Sequence, residues 1–267
     1  MRNTRRNPTR SRSSKTKWIV FGGLGLAGYA LYRSQRQKMR VPRSMILDLP
    51  AEPAIPASRQ GSIQFVGTAT CLIRYGGFTI LTDPNFLHRG EAVHLGYGMQ
   101  STRLTEPAIQ FEELPPVDFV VLSHMHEDHF DTLVQRRLNK SMPILTTTQA
   151  ARALERKGFR RLYPLDTWDR IDVRKGDAEV RLTSMPGTHG PMLVSSLLPS
   201  VMGSMLEFRN PATPVTFRMY LSGDTLIHDD LKEIPRRYPN VDVALLHLGG
   251  TRIMGILVTM DAKQGGD

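Results

Sequence analysis

The chain has 267 residues, 40% of them hydrophobic and 22% charged, a globular composition that excludes wholesale disorder. Its formal net charge of +10 is confined to one end: 12 basic residues and no acidic one fall before residue 45, and the other 223 residues carry 23 basic against 25 acidic groups. A body of net charge −2 is not a basic nucleic-acid binder, because phosphate contacts need positive charge where they are made. The one cysteine, Cys71, excludes an intramolecular disulfide framework and any multi-cysteine zinc site.

Residues 1–17, rich in Arg and Ser, read as a basic disordered arm. Residues 18–32 carry no charge, are bracketed by Lys17 and Arg33, and place Trp18, Tyr29 and Tyr32 near their ends, where membrane-interface aromatics belong. Such a helix spans only ~22 Å of a ~30 Å hydrocarbon core, a gap that snorkelling cations and local thinning close. The segment is read as a single-pass membrane anchor. A cleaved signal or transit peptide and a soluble helix compete with it, and the glycines at 22, 23, 25 and 28 count against the last. Seven basic residues before the segment and five after it tilt the positive-inside bias towards a cytoplasmic N-terminus. Residues 33–60 read as a linker, interrupted by Pro42, Pro50, Pro53 and Pro56.

The body, 61–267, begins near Gly61. Strands are predicted over 62–66, 71–75 and 78–82, with Gly76-Gly77 as a hairpin turn. The apolar run 117–122 reads as a strand buried on both faces, and 143–147 repeats it after a helix candidate over 131–140. A second helix is predicted over 149–157, with Thr148 as N-cap and Gly158 as its stop. Further strands are predicted over 180–183, 215–221 and 241–246. This mixture of hairpins and strand–helix units is an α/β or α+β sandwich.

The chemistry concentrates after the buried strand, in Ser123-His124-Met125-His126-Glu127-Asp128-His129. A strand end at a sheet rim is where α/β folds place their sites. His124 and His126 alternate and can point the same way, while the following turn swings Asp128 and His129 to an adjacent position. Two metals a few ångströms apart can share such a run; one cannot easily take all of it. More ligands are needed, and two later strand ends offer His189 (in PGTHGP) and Asp224 (in SGDT). By alternation Glu127 faces solvent and has no role. Asp83 is a candidate to fix an imidazole from behind.

At this point the sequence resembles the metallo-β-lactamase superfamily, through H-x-H-x-D-H at 124–129, His189, S-G-D-T at 222–225 and Thr82-Asp83-Pro84. The resemblance covers about 61–261. The stretch GTATCLIRYGGFTILTDP is similar to the branch with N-acylphosphatidylethanolamine-hydrolysing phospholipase D and the ascorbate-6-phosphate lactonases. It implies an αββα sandwich with two divalent metal ions, zinc in type, in an edge cleft. His124, His126 and His189 would hold the first, Asp128 and His129 the second, and Asp224 would bridge. A metal-bound hydroxide, oriented by Asp128, would attack an ester, lactone or phosphodiester. The family pattern also asks for a last His on a late strand; His228 and His247 are not in that context, so the second metal position is expected to be incomplete and one sheet edge unpaired. His247 reads equally as a substrate-pocket residue or a strand-end His. A truncated relative with a partial metal site and little activity, and a mononuclear iron oxidoreductase of the same superfamily, are the alternative functions. A small molecule or a lipid is the expected substrate, with membrane attachment through 18–32 and no nucleic-acid partner.

Overall fold

The structure, a computed structural model, describes residues 40–51, 61–96, 99–191, 198–210, 213–253 and 255–266. The arm and the anchor segment lie outside the described residues. Among the described residues no helix is long and apolar enough to cross a membrane.

Two six-stranded mixed sheets make the body. The first runs in the order β2 (Ser62–Gly67), β3 (Thr70–Tyr75), β4 (Phe78–Thr82), β7 (Phe119–Leu122), β8 (Ile144–Thr147), β9 (Leu162–Leu165). The second runs in the order β1 (Ser44–Leu49), β10 (Arg170–Lys175), β11 (Ala178–Met185), β12 (Gly203–Asn210), β13 (Thr213–Leu221), β14 (Val243–Leu245). A two-stranded hairpin, β5 (Ala92–Gly96) and β6 (Met99–Thr102), stands between β4 and β7 in the chain. A second small ribbon, β15 (Arg252–Ile253) with β16 (Ile256–Leu257), follows β14.

Strand periodicity decides the layering, because alternate side chains face opposite sides. On β4 and β7, Ile80, Phe119 and Val121 join Leu182, Leu206, Met219 and Leu221 in a core between the sheets. Their neighbours Leu81, Val120 and Leu122 face the other way and pack under helices α1 (Thr132–Arg137) and α2 (Thr148–Arg156), through Val134, Ala150 and Leu154. On the second sheet, Met185 and Met205 face outward and meet Ile234 of α3 (Glu233–Arg237) and Tyr238, which caps its C-terminus. Helices on both outer faces of two packed sheets are the expected αββα sandwich.

Several boundaries move. Gly76 and Gly77 take φ of 59° and 86°, the left-handed turn the hairpin needs. The first helix is shorter than 131–140: Asp131 is its N-cap, and Leu138 turns extended at its end. The second is capped by Thr147, whose Oγ1 accepts from the Ala150 amide at 3.1 Å, one residue earlier than expected. The span read as a linker contains β1, which pairs in parallel with β10. Arg43 fastens it by donating Nε and Nη2 to the buried Asp169 carboxylate at 3.0 and 2.8 Å. An alternating six-residue strand between basic and Pro-rich neighbours carries too little apolar signal to stand out. The hairpin β5–β6 and the strands β9, β10 and β12 were likewise not predicted.

Candidate metal centre

The site assembles at one rim of the sandwich, from loops that leave β4, β7, β11 and β13. Leaving β4, Asp83 adopts φ of 39°, a left-handed conformation that a non-glycine residue keeps only when its surroundings hold it. They do: its amide donates to Val121 O at 3.0 Å, and its Oδ1 accepts from the Ser123 amide at 2.7 Å. The early Asp thereby splints the start of the histidine run. Leaving β13, Gly223 has φ of 60°, and a Cβ there would sit 2.7 Å from Met202 O and 3.0 Å from Ser123 Cβ. Only glycine lets the S-G-D-T turn approach the histidine loop closely enough to deliver Asp224.

Five of the six predicted ligands fall into groups of ligand size, and Asp128 stands beside them. Nitrogens of His124, His126 and His189 lie within 4.8 Å of one another, and the same holds for donor atoms of His124, His129 and Asp224 and for those of Asp83, His129 and His247. His124 Nε2 is 2.8 Å from His126 Nδ1, and His189 Nε2 is 3.3 Å from the same atom. His129 Nε2 faces Asp224 Oδ2 at 3.3 Å and Asp128 Oδ2 at 3.9 Å. Asp128 Oδ1 is buried and makes no hydrogen bond. A buried carboxylate oxygen with no donor is costly unless a further group engages it. His228 belongs to none of these groups among the described residues.

Outer partners orient two of the rings. His189 Nδ1 donates to Val258 O at 2.8 Å, so its Nε2 points at the cluster. His129 Nδ1 lies 3.3 Å from Asp83 Oδ2, which leaves its Nε2 for Asp224 and Asp128. Thr259 Oγ1 donates to Asp224 Oδ2 at 3.1 Å, and the Met260 amide donates to Thr225 O at 3.0 Å. The segment 258–260 thus straps two ligands at once. Sequence reasoning missed it, since Thr259 is 35 residues from the carboxylate it serves and matches no spacing rule. His247 lies with Nε2 3.6 Å from Asp83 Oδ2, and its ring faces that of His129 at 5.7 Å.

Glu127 corrects its expected assignment. Its side chain is only 10% exposed, and its Oε2 accepts from the His94 amide at 2.6 Å and lies 2.7 Å from His94 Nδ1. Alternation does not apply to it because β7 ends at Leu122 and the run continues as a turn. The residue ties the β5–β6 hairpin to the ligand loop.

Charge is divided unevenly across the cluster. Burial, then the neighbouring His189 and His129, push the His126 pKa down to about 3, so this ring is neutral and ready to ligate at neutral pH. Burial works against protonation of His129 too, but Asp224, Asp128 and Asp83 outweigh it and hold the pKa well above the ordinary imidazole value. In Asp224 burial is likewise outweighed, here by His129, and the carboxyl stays ionised far into acid. A divalent ion must therefore displace the His129 proton. Its binding at pH 7 is expected to release about one proton, read by calorimetry in buffers of different ionisation enthalpy, and its affinity to fall about tenfold per pH unit on acidification. The same release in His129→Ala would refute this assignment.

A family model described as the beta-lactamase superfamily domain matches residues 79–265. The chain belongs to this superfamily. A metal-dependent hydrolase of Anaeromyxobacter sp. (strain K) is 25% identical over 218 residues, 79% of this chain and 71% of the relative. The mitochondrial N-acyl-phosphatidylethanolamine-hydrolyzing phospholipase D of Saccharomyces cerevisiae is 26% identical over 117 residues, 43% of this chain and 24% of the yeast protein. In fold, the superfamily member is similar to the isothiocyanate hydrolase from Delia radicum gut bacteria. The TM-score is 0.60 at 21% identity, over 76% of this chain and 77% of that one.

Proposed function

We propose that this superfamily member is a metal-dependent hydrolase holding two zinc-type divalent cations. One observation carries the reading: among the described residues, donors from separate strand ends converge into three groups of ligand size, two of which share His124. The donor set fits, since imidazole and carboxylate without thiolate suit zinc and its neighbours. The unpartnered Asp128 Oδ1 is a further donor in the right place. The name of the Anaeromyxobacter relative supports the same activity.

His124, His126 and His189 would hold one ion, and Asp128 and His129 the other, with Asp224 between them. Bound ions supply Lewis acidity and lower the pKa of coordinated water to ~7. The remaining work falls to the chain. Asp128 orients the attacking water through its free oxygen. Asp83 and Val258 O keep Nε2 of His129 and of His189 free to ligate, and these nitrogens would face the bound ions. Thr259 fixes the Asp224 carboxylate, which would lie between the two ions. The scissile group is an ester, a lactone or a phosphodiester.

Chelator treatment tests this directly. Stripped protein is expected to lose hydrolysis of activated esters and phosphodiesters at least about a hundredfold, from the several kcal/mol an ion contributes. Two equivalents of zinc per chain, counted by elemental analysis, should restore it. A preparation that binds no ion, or hydrolyses equally without one, overturns the reading.

A further inference from the structure

The near-neutral charge of the body hides a sharp division. Residues 132–161, which carry α1 and α2 on the outer face of the first sheet, hold eight basic groups and one acidic group. The rest of the body, from residue 45 on, holds 15 basic against 24 acidic groups. Arg136 and Arg137 end α1, and Lys140 follows it. Arg152 and Arg156, four residues apart on α2, share a face, and Lys157 caps that helix. Arg160 and Arg161 lie beside them: the Arg160 amide donates to Lys140 O at 2.9 Å. These groups act on one another, since burial and then Lys157 push the Lys140 pKa down.

Helix C-termini favour cations, but only within the last turn. That attraction does not account for Arg152, Arg160 or Arg161. Counter-charge is missing as well. Among the described residues, Arg137 meets the Glu112 carboxylate, and the other seven basic groups form no ion pair. On the second sheet and its helix the arginines are paired: Arg181 with Asp172 at 2.6 Å, Arg218 with Glu207 at 3.2 Å, Arg236 with Glu233 at 2.6 Å. Like charges massed without partners repel, and an anionic surface relieves that repulsion.

We propose that this face of α1 and α2 docks on the anionic headgroups of a lipid bilayer. Two features favour lipid over nucleic acid. The face offers no exposed aromatic ring for a base to stack on, because Phe159 is 2% exposed and Lys140 Nζ sits 3.9 Å over it. The same chain also carries twelve basic residues around the uncharged apolar run 18–32, and a polybasic face together with an apolar segment makes a two-signal membrane attachment. The acidic remainder of the body is repelled by the same headgroups, which orients α1 and α2 towards the lipid. None of the eight basic residues belongs to the ligand groups, so substitutions here leave the metal centre intact.

The test is acetylation of each lysine of the zinc-loaded full chain on vesicles, read by mass spectrometry. On equimolar phosphatidylcholine and phosphatidylglycerol, Lys140 and Lys157 are expected to react at least about threefold more slowly than in solution. On phosphatidylcholine alone their rates should not change. Lys232, with a side chain 70% exposed in the other outer layer, should keep its solution rate on both. The triple variant Arg152→Gln, Arg156→Gln, Arg160→Gln loses about fivefold in docking per charge, about a hundredfold together, and should return both lysines to their solution rates. Lys232→Gln, Arg236→Gln, Arg237→Gln removes as much charge elsewhere and should keep the protection. Acetylation reports on the face itself, so it decides the matter even where residues 18–32 hold the chain on every vesicle. Unprotected Lys140 and Lys157, protection that survives the triple substitution, or equal protection of Lys232 overturns the inference. So does stronger protection by duplex DNA than by the anionic vesicles at the same ionic strength, which would make nucleic acid the partner.

Discussion

Replacing Asp224 with alanine is expected to lower metal content by at least one ion per chain and to cut kcat/KM about a thousandfold, from the several kcal/mol that an ion contributes to the transition state. Three features make this carboxylate the costliest to lose. It is the acidic member of the group formed with His124 and His129. Among the carboxylates that hold the His129 charge against burial, it acts most strongly. It is also locked by Thr259, so no neighbouring side chain is free to replace it in the same pose. In the metal-free protein the variant leaves a buried His129 without its main counter-charge, a loss in the range of ~3–5 kcal/mol unless the ring deprotonates. Elemental analysis with urea unfolding at pH 6 and pH 8 checks both effects. His126→Ala, which removes an already neutral ring, should lose metal without the pH-dependent stability change. Unchanged metal content in both variants would sink the assignment of these residues as ligands.

Asp131→Ala is expected to destabilise the body by about 3–5 kcal/mol, because it orphans several buried donors at once. The Asp131 carboxylate accepts from the amides of Phe86, Leu87 and Val134, the last two at 3.0 and 2.7 Å. It is fully buried, so water cannot take over these bonds. The residue caps α1 and at the same time pins the loop that leaves β4 to the loop that carries the ligands. Asp131→Asn keeps one acceptor oxygen and should cost less. Equilibrium urea unfolding of the three proteins, with metal content measured alongside, checks the prediction. Equal stability of Ala and parent would mean the amides find other partners.

Much of the centre was legible in the residues. His124, His126, Asp128 and His129 are adjacent in the chain, and local density of metal-binding side chains is a signal that needs no fold. His189 and Asp224 were found because each follows an apolar strand and sits beside glycine. Asp83 was read as a support for an imidazole, and its Oδ2 lies 3.3 Å from His129 Nδ1. Glu127 was misread because strand alternation was extended past the end of β7. Thr259, Val258 and Asp131 were invisible as site residues, since their partners lie far off in sequence or are backbone groups. Strand β1 was missed for a related reason: a short edge strand buries little, and its stability comes from β10 and from the Arg43–Asp169 bond.

By itself the sequence determined the separation of a basic end from a near-neutral body, the two-layer α/β class and the six ligand candidates. Each of these depends on local composition, periodicity or proximity along the chain. The tertiary structure alone decided which nitrogen of His129 and of His189 faces the cluster, that Asp224 meets His129, and that Thr259 holds the Asp224 carboxylate. Those properties arise where side chains from β4, β7, β11, β13 and the 258–260 strap converge, and distance in space is not a function of spacing in the chain.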